Sequence, residues 1–226
     1  MSSPSRRASE NPRRHDLVFV SPAAWRSFLD SRAALAEDPL VAGWVDRGWP
    51  LIARRLAPEE GHGVPLGLPL PPSAGKRRIG LLMDPVGIRS SARPPLLSAA
   101  FLVAPAAWKP TLRTLNHVAA RLGVEARVFG SLAWRLLTGL DYLTARSDLD
   151  FILSLPRPGD FAALMTELDS IDSAAPMRLD GEIVRDDGAG VHWRELHSGA
   201  RDVLAKTLGR PTLLNSAEFI AGSIQS

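Results

Sequence analysis

Apolar and polar residues alternate cleanly over residues 148–153. Asp148, Asp150 and Ile152 share one face of an expected strand, and Leu149, Phe151 and Leu153 share the other. The same repeat over residues 176–184 sets Met177, Leu179 and Ile183 against Arg178, Asp180 and Glu182. Shorter β-prone runs at 16–20, 50–56, 79–83 and 127–129 predict further strands. Residues 191–196 are expected to return antiparallel to 176–184 through a hairpin turn at 186–190, with Asp186 and Asp187 as turn residues. Helical spacing runs over 23–35, where Trp25, Phe28 and Leu29 form one face behind a Ser21-Pro22 start. It runs again over 106–122, with Leu112, Leu115, Val118, Ala119 and Leu122 inward. Residues 132–137, 161–171 and 203–208 read as further helices, and the Gly- and Pro-rich stretches 58–75 and 85–97 as irregular connections.

The pattern changes around Pro105. It predicts an α+β protein: a smaller N-terminal α+β domain over 15–104, then a second domain over 105–226 with a mixed sheet and flanking helices. Residues 1–14, rich in Ser, Pro and Arg, read as a disordered, solvated tail. Its paired arginines lack a following apolar segment, so an export signal is not expected.

Composition adds exclusions. The chain of 226 residues has no cysteine, which rules out disulfides and thiolate metal sites and suits a reducing, cytoplasmic setting. No apolar run reaches transmembrane length, so no membrane partner is expected. With 27 basic against 24 acidic residues the net charge is +3, too small an excess to argue for nucleic acid. The basic residues are largely arginine, whose fork suits phosphate.

Candidate chemistry centres on Arg127-Val128-Phe129-Gly130-Ser131 and the carboxylates Asp148 and Asp150 that follow. The order is strand, tight turn, helix, loop, strand. Gly130 permits a sharp turn and close approach of a ligand. Ser131 is the expected N-cap of the helix and Gly139 its C-terminal cap. A helix start behind such a turn offers free N–H groups and the positive dipole end to a phosphate chain. Two carboxylates spaced i, i+2 on one strand repel, and a Mg²⁺ ion shared with substrate phosphates is their natural counter-charge. A bare Asp-x-Asp is more often a solvent-facing strand start; the upstream Gly-Ser turn is what favours the metal reading here. A third carboxylate on a neighbouring strand would deprotonate an attacking hydroxyl or complete the metal site. Asp180 and Glu182 both qualify by face. Asp180 is preferred for its shorter side chain, while Glu182 could instead pair with Arg178 or Arg194. Arg135, Lys206 and the run Lys76-Arg77-Arg78 are further candidates for neutralising phosphate charge.

The combination of a hydrophobic residue, Gly130-Ser131 and Asp148-Leu149-Asp150 resembles the signature of polymerase-β-type nucleotidyltransferases, with an enlarged helix-to-strand loop over 138–147. Phe129-Gly130-Ser131, Thr138-Gly139, Ser147-Asp148-Leu149-Asp150, Leu179-Asp180-Gly181-Glu182 and Trp193-Arg194-Glu195-Leu196 together resemble one family more closely. That family is the phosphoribosyl-dephospho-CoA transferases of bacterial malonate decarboxylase, also called its holo-acyl-carrier-protein synthases. The resemblance covers nearly the whole chain beyond the tail and is strongest over 127–208. It implies a polymerase-β-like catalytic domain, triphosphoribosyl-dephospho-CoA as donor, and a serine of the apo acyl-carrier subunit as acceptor. It further implies Mg²⁺ on Asp148 and Asp150, a phosphate cradle at Gly130 and Ser131, and Asp180 assisting the acceptor serine. Arg135 and Lys206 would have lesser roles in binding the donor. Two other readings stand beside it: a Mg²⁺-dependent enzyme of the same fold passing a nucleoside monophosphate to a small molecule or RNA, and a non-catalytic carrier-protein-binding module. The latter is disfavoured by the presence of both aspartates.

Overall fold

In the computed structural model, which describes residues 12–222, the chain forms two units, one ending at Pro94 and the other beginning at Pro95. Residues 1–11, which hold most of the expected tail, lie outside the described residues.

The first unit is built on an antiparallel five-stranded sheet. Its strands are β1 (Leu17–Val20), β2 (Leu51–Ala53), β3 (Val64–Pro69), β4 (Arg78–Met83) and β5 (Ile88–Ala92), in the order β4-β3-β2-β1-β5. Helix α1 (Pro22–Asp30) starts as expected, with Ser21 Oγ accepting from the Ala24 N–H at 3.1 Å. The helical run expected over 23–35 breaks after Asp30, and α2 (Ala33–Ala36) and α3 (Pro39–Ala42) follow. Trp25 and Trp44 are fully buried, and each satisfies its indole N–H on a carbonyl, Val41 at 3.1 Å and Pro50 at 2.9 Å.

Two stretches read as irregular turn out to be strands. β3 pairs with β2 only through Leu66 and Gly67, so the missing N–H of Pro69 breaks no rung with β2, and beyond the register the Pro65 carbonyl still accepts from the Arg54 N–H at 3.0 Å. Residues 88–92 form β5, held by β1 across almost its whole length. Arg54 laces β2, β3 and β4 together: its guanidinium donates to the carbonyls of Leu66 (3.0 Å), Arg55 (3.0 Å) and Leu81 (3.3 Å) and pairs with Glu60. Of the basic run at 76–78, Arg77 pairs with Asp38.

The second unit comprises α4 (Leu97–Ala100), α5 (Lys109–Arg121), β6 (Ala126–Val128), α6 (Gly130–Thr138), β7 (Leu149–Ser154), α7 (Phe161–Ala174), β8 (Leu179–Val184), β9 (Gly190–His192), α8 (Trp193–His197), β10 (Asp202–Ala205), β11 (Thr212–Asn215) and α9 (Ser216–Ala221). The change of pattern at Pro105 therefore falls inside this unit: Leu97 and Ala100 are fully buried in its core, and the Pro95 carbonyl accepts from the Val128 N–H at 2.9 Å. The main sheet has the order β6-β7-β8-β9, with β7 and β8 parallel and the outer pairs antiparallel. A parallel pair needs a crossover, and α7 supplies it. Leu149, Phe151, Leu153, Leu179, Ile183 and Val191 line one face and pack with Leu112 and Leu115 of α5 and Leu164 and Leu168 of α7. Each such buried side chain contributes about 1.5–3 kcal/mol.

Three local expectations are corrected. Residues 203–208 are not helical: Val203 and Ala205 are buried and Leu204 is exposed, the period of two of strand β10, which pairs with β11. The strand expected over 191–196 stops at His192, whose ring caps α8 by accepting from the Arg194 N–H at 3.1 Å. Ser131 does not cap α6. The helix begins at Gly130, so the cap position falls on the extended Phe129, whose ring has no acceptor to offer the first-turn N–H groups; the Phe129 N–H itself donates to the Asp150 carbonyl at 3.1 Å. Gly139 does close α6, in the left-handed conformation (φ 74°).

Candidate active site

The face of the main sheet opposite the core carries the charge. Alternation puts Asp150 of β7, Asp180 and Glu182 of β8 and His192 of β9 on that face. Asp150 and Asp180 are register partners on parallel strands, and Glu182 is register partner to His192. Neighbouring strands lie about 4.8 Å apart, so the two aspartates occupy one patch. Asp148 sits at the entrance to β7, half-buried, and its carboxylate has no hydrogen bond or ion pair among the described residues.

Gly130 closes one side of this patch. Its φ of 62° is left-handed, and a Cβ placed there would overlap the Asp150 carboxylate, meeting Cγ at 2.5 Å and Cβ at 2.9 Å with Oδ2 closer still. Glycine is thus required twice, by the turn and by the acid packed against it. Ser131 follows in the first turn of α6, half-buried, with no side-chain hydrogen bond among the described residues.

Asp180 is the acid with the most defined surroundings. His192 Nε2 lies 3.1 Å from Asp180 Oδ1. This hydrogen bond, with lesser help from the positive charges of Arg178 and Lys206, holds the Asp180 carboxyl below its ordinary range against the opposing effect of burial. Glu182 is buried, 5% exposed, and its Oε1 lies 3.7 Å from Lys206 Nζ. Lys206 reaches it from the residue after β10, where Gly190 and Lys206 exchange backbone hydrogen bonds of 2.9 and 2.8 Å. The partner of Glu182 is therefore Lys206, neither Arg178 nor Arg194, and Arg194 pairs with Asp172 at 2.6 Å.

Of the sequence candidates, the structure brings together Gly130, Asp150, Asp180, Glu182 and Lys206, with Asp148 and Ser131 at the margin. Arg135 is not among them: its guanidinium pairs with Asp141 of the following loop at 3.2 Å. That enlarged loop is anchored by Tyr142, which is buried beside Trp134 with ring centroids 6.2 Å apart, and burial raises its hydroxyl pKa. Sequence reasoning missed His192. The signal was there: Val191 faces the core, so its neighbours Gly190 and His192 must face the acids.

No group of three or more acidic or histidine side chains among the described residues is arranged to hold a metal ion by itself. Mg²⁺ does not require such a cage, since it keeps several waters and takes one or two carboxylates plus substrate phosphates. The oxygen donors of Asp148 and Asp150 fit that mode.

Comparison with known proteins matches the two units separately. Residues 13–94 match the model of the phosphoribosyl-dephospho-CoA transferase MdcG N-terminal domain, and residues 96–217 that of its C-terminal domain. A phosphoribosyl-dephospho-CoA transferase of Bradyrhizobium diazoefficiens is 50% identical over 226 residues, covering 100% of both chains. One from Xanthomonas campestris pv. campestris is 36% identical over 85% of this chain and 89% of its own. One from Pseudomonas putida is 32% identical over 90% of this chain and 94% of its own. No solved structure matches.

Proposed function

The chain belongs to the phosphoribosyl-dephospho-CoA transferase family and is a transferase, and from that premise we propose its reaction. It moves 2′-(5″-phosphoribosyl)-3′-dephospho-CoA from triphosphoribosyl-dephospho-CoA to a serine of the apo acyl-carrier subunit of malonate decarboxylase. The serine Oγ attacks the α-phosphorus, the bond to the diphosphate breaks with its electron pair leaving on the diphosphate oxygen, the serine proton passes to water, and a phosphodiester remains. The observation that carries the reading is the juxtaposition of Asp150 and Asp180 in register with Gly130 packed against Asp150.

Asp148 and Asp150 are the residues that would hold Mg²⁺, which when bound neutralises charge on the donor phosphates. Gly130 keeps the space beside Asp150 clear, and the start of α6 turns backbone N–H groups and the Ser131 hydroxyl toward the leaving diphosphate. Asp180, ionised, accepts a hydrogen bond from the acceptor serine and orients its Oγ in line with the breaking bond. Its lowered pKa makes it a weak base, so orientation is its larger contribution. Lys206, held by Glu182, adds positive charge at the far end of the row. Arg135 would reach the donor only by leaving Asp141. No helix of the described residues is long and apolar enough to cross a membrane, which is compatible with cytoplasmic work on a carrier subunit.

The test is incubation with triphosphoribosyl-dephospho-CoA, Mg²⁺ and the apo carrier subunit, followed by intact mass. The expected result is one added phosphoribosyl-dephospho-CoA per carrier chain, lost when the acceptor serine is replaced by alanine. An unmodified carrier, or equal labelling from an ordinary nucleoside triphosphate, would overturn it.

A further inference from the structure

His192 ends β9 and begins α8, with its side chain only 15% exposed and its ring stacked beside the buried Trp193 (centroids 6.5 Å apart, planes at 21°). Both ring nitrogens are engaged. Nδ1 accepts from the Arg194 backbone N–H at 3.1 Å, so in the neutral ring the proton resides on Nε2. Nε2 lies 3.1 Å from Asp180 Oδ1 and therefore donates to it. The residue that supplies the fixing N–H is itself pinned: the Arg194 guanidinium pairs with Asp172 at 2.6 Å and donates to the Leu179 carbonyl at 3.1 Å. A chain of contacts thus runs from α7 through α8 and β9 to the acid on β8.

We propose that His192 is a positioning residue for the transfer: its Nε2–H holds Asp180 Oδ1 and leaves Oδ2 to receive the acceptor hydroxyl. This rests on the transferase reading above. The ring cannot take up a proton at Nδ1 without giving up the bond to Arg194, so its part is to set the carboxylate plane. The same bond favours the charged form of Asp180. Glu182, the register partner of His192, is occupied by Lys206 at 3.7 Å, and that leaves Asp180 as the acid the ring serves.

The test compares His192→Phe, which keeps the ring volume and loses the donor, with His192→Gln, whose amide nitrogen can reach the same oxygen. Misplacing a reacting group by about an ångström costs on the order of a hundredfold. His192→Phe should lose about that factor in kcat with donor KM changed less than about threefold, and His192→Gln should recover to within about tenfold of wild type. Both variants should match wild type by circular dichroism. Equal losses in both folded variants, or a loss confined to KM, would overturn the proposal. A substrate-independent readout separates it from the reaction itself. Long-range ¹H–¹⁵N spectra of the full chain should show His192 protonated at Nε2 and bare at Nδ1. A wild type silent on the carrier sinks the transferase reading; a proton on Nδ1 sinks this one.

Discussion

Gly130 and Asp150 are packed so closely that a single methyl group on the first would occupy the carboxylate of the second. One residue opens α6 and the other lies within β7, and the Phe129 N–H to Asp150 carbonyl bond of 3.1 Å fixes the distance between them. A turn and an acid that look like independent features in the sequence are one unit in space. In the proposed reaction, the tight packing would let Gly130 act on the donor phosphates through Asp150 as well as through its own backbone.

Gly130→Ala should therefore lower turnover by displacing Asp150, by about 10² to 10³, the scale of losing one charge-stabilising group. The left-handed φ of 62° adds a strain of about 1–2 kcal/mol, visible as a lower Tm. The decisive measurement is a cycle with Asp150→Ala. If the methyl acts through the acid, Gly130→Ala in the Asp150→Ala background adds less than about threefold, since groups in contact are not additive. Full additivity would return Gly130 to a simple turn residue.

Activity should require a divalent cation. In the proposed reaction Asp148, Asp150 and Asp180 would face a polyphosphate donor, and their repulsion for it would need a counter-charge. Turnover should vanish in excess chelator and return with added Mg²⁺. Asp148→Asn and Asp150→Asn should each lose at least about a hundredfold. Metal-independent turnover, or near-normal rates in either variant, would remove the pair from the mechanism.

The parts of this site legible in the sequence are those governed by burial on two faces. β7 and β8 were readable because Leu149, Phe151, Leu179 and Ile183 must reach the core, which sends the intervening acids to the other side. β3 was not, because Pro65 and Pro69 mark loops locally and are tolerated only through the short register of β2, a tertiary fact. β10 reads locally as a helix because its strand geometry is set by backbone pairing with β11 and the Lys206–Gly190 bridge, and the burial of Val203 and Ala205 by the core they pack into, all tertiary facts. The His192–Asp180 bond was hidden for the same reason: it depends on where β9 stops and α8 begins, and the cap that decides this is the histidine itself.

Acid should weaken the first unit through Glu60. The hydrogen bond from Arg54, then that from the Ala57 N–H, lowers the Glu60 carboxyl from 4.5 to about 2. A group depressed on folding contributes stability above its unfolded pKa and loses it as pH falls through the folded value. The window is thus pH 4.5 down to about 2. The Tm of the full chain should exceed that of Glu60→Gln near neutrality, and the gap should close across that window. A gap that stays constant with pH would mean that the Arg54–Glu60 pair contributes no titrating stability.

The last prediction separates two acids that the sequence could not. Asp180 and Glu182 share a face of β8, yet their surroundings differ. Asp180 is half-buried and accepts a hydrogen bond from His192 Nε2, whereas Glu182 is buried and its Oε1 lies 3.7 Å from Lys206. In the proposed reaction Asp180→Asn removes the charge that would orient the acceptor, and should cost at least about a hundredfold in rate with little change in Tm. Glu182→Gln should cost less than about tenfold in rate, because its role is to hold Lys206. Removing one partner of a fully buried pair costs about 3–5 kcal/mol. Lys206 is 38% exposed and can rehydrate, so about 1–2 kcal/mol is expected here, read as a drop in Tm. The two variants should therefore separate on opposite axes, Asp180→Asn in kcat and Glu182→Gln in Tm. The reverse outcome would move the acceptor serine one pleat along β8, roughly 7 Å, and make Glu182 with Lys206 the reacting end of the row.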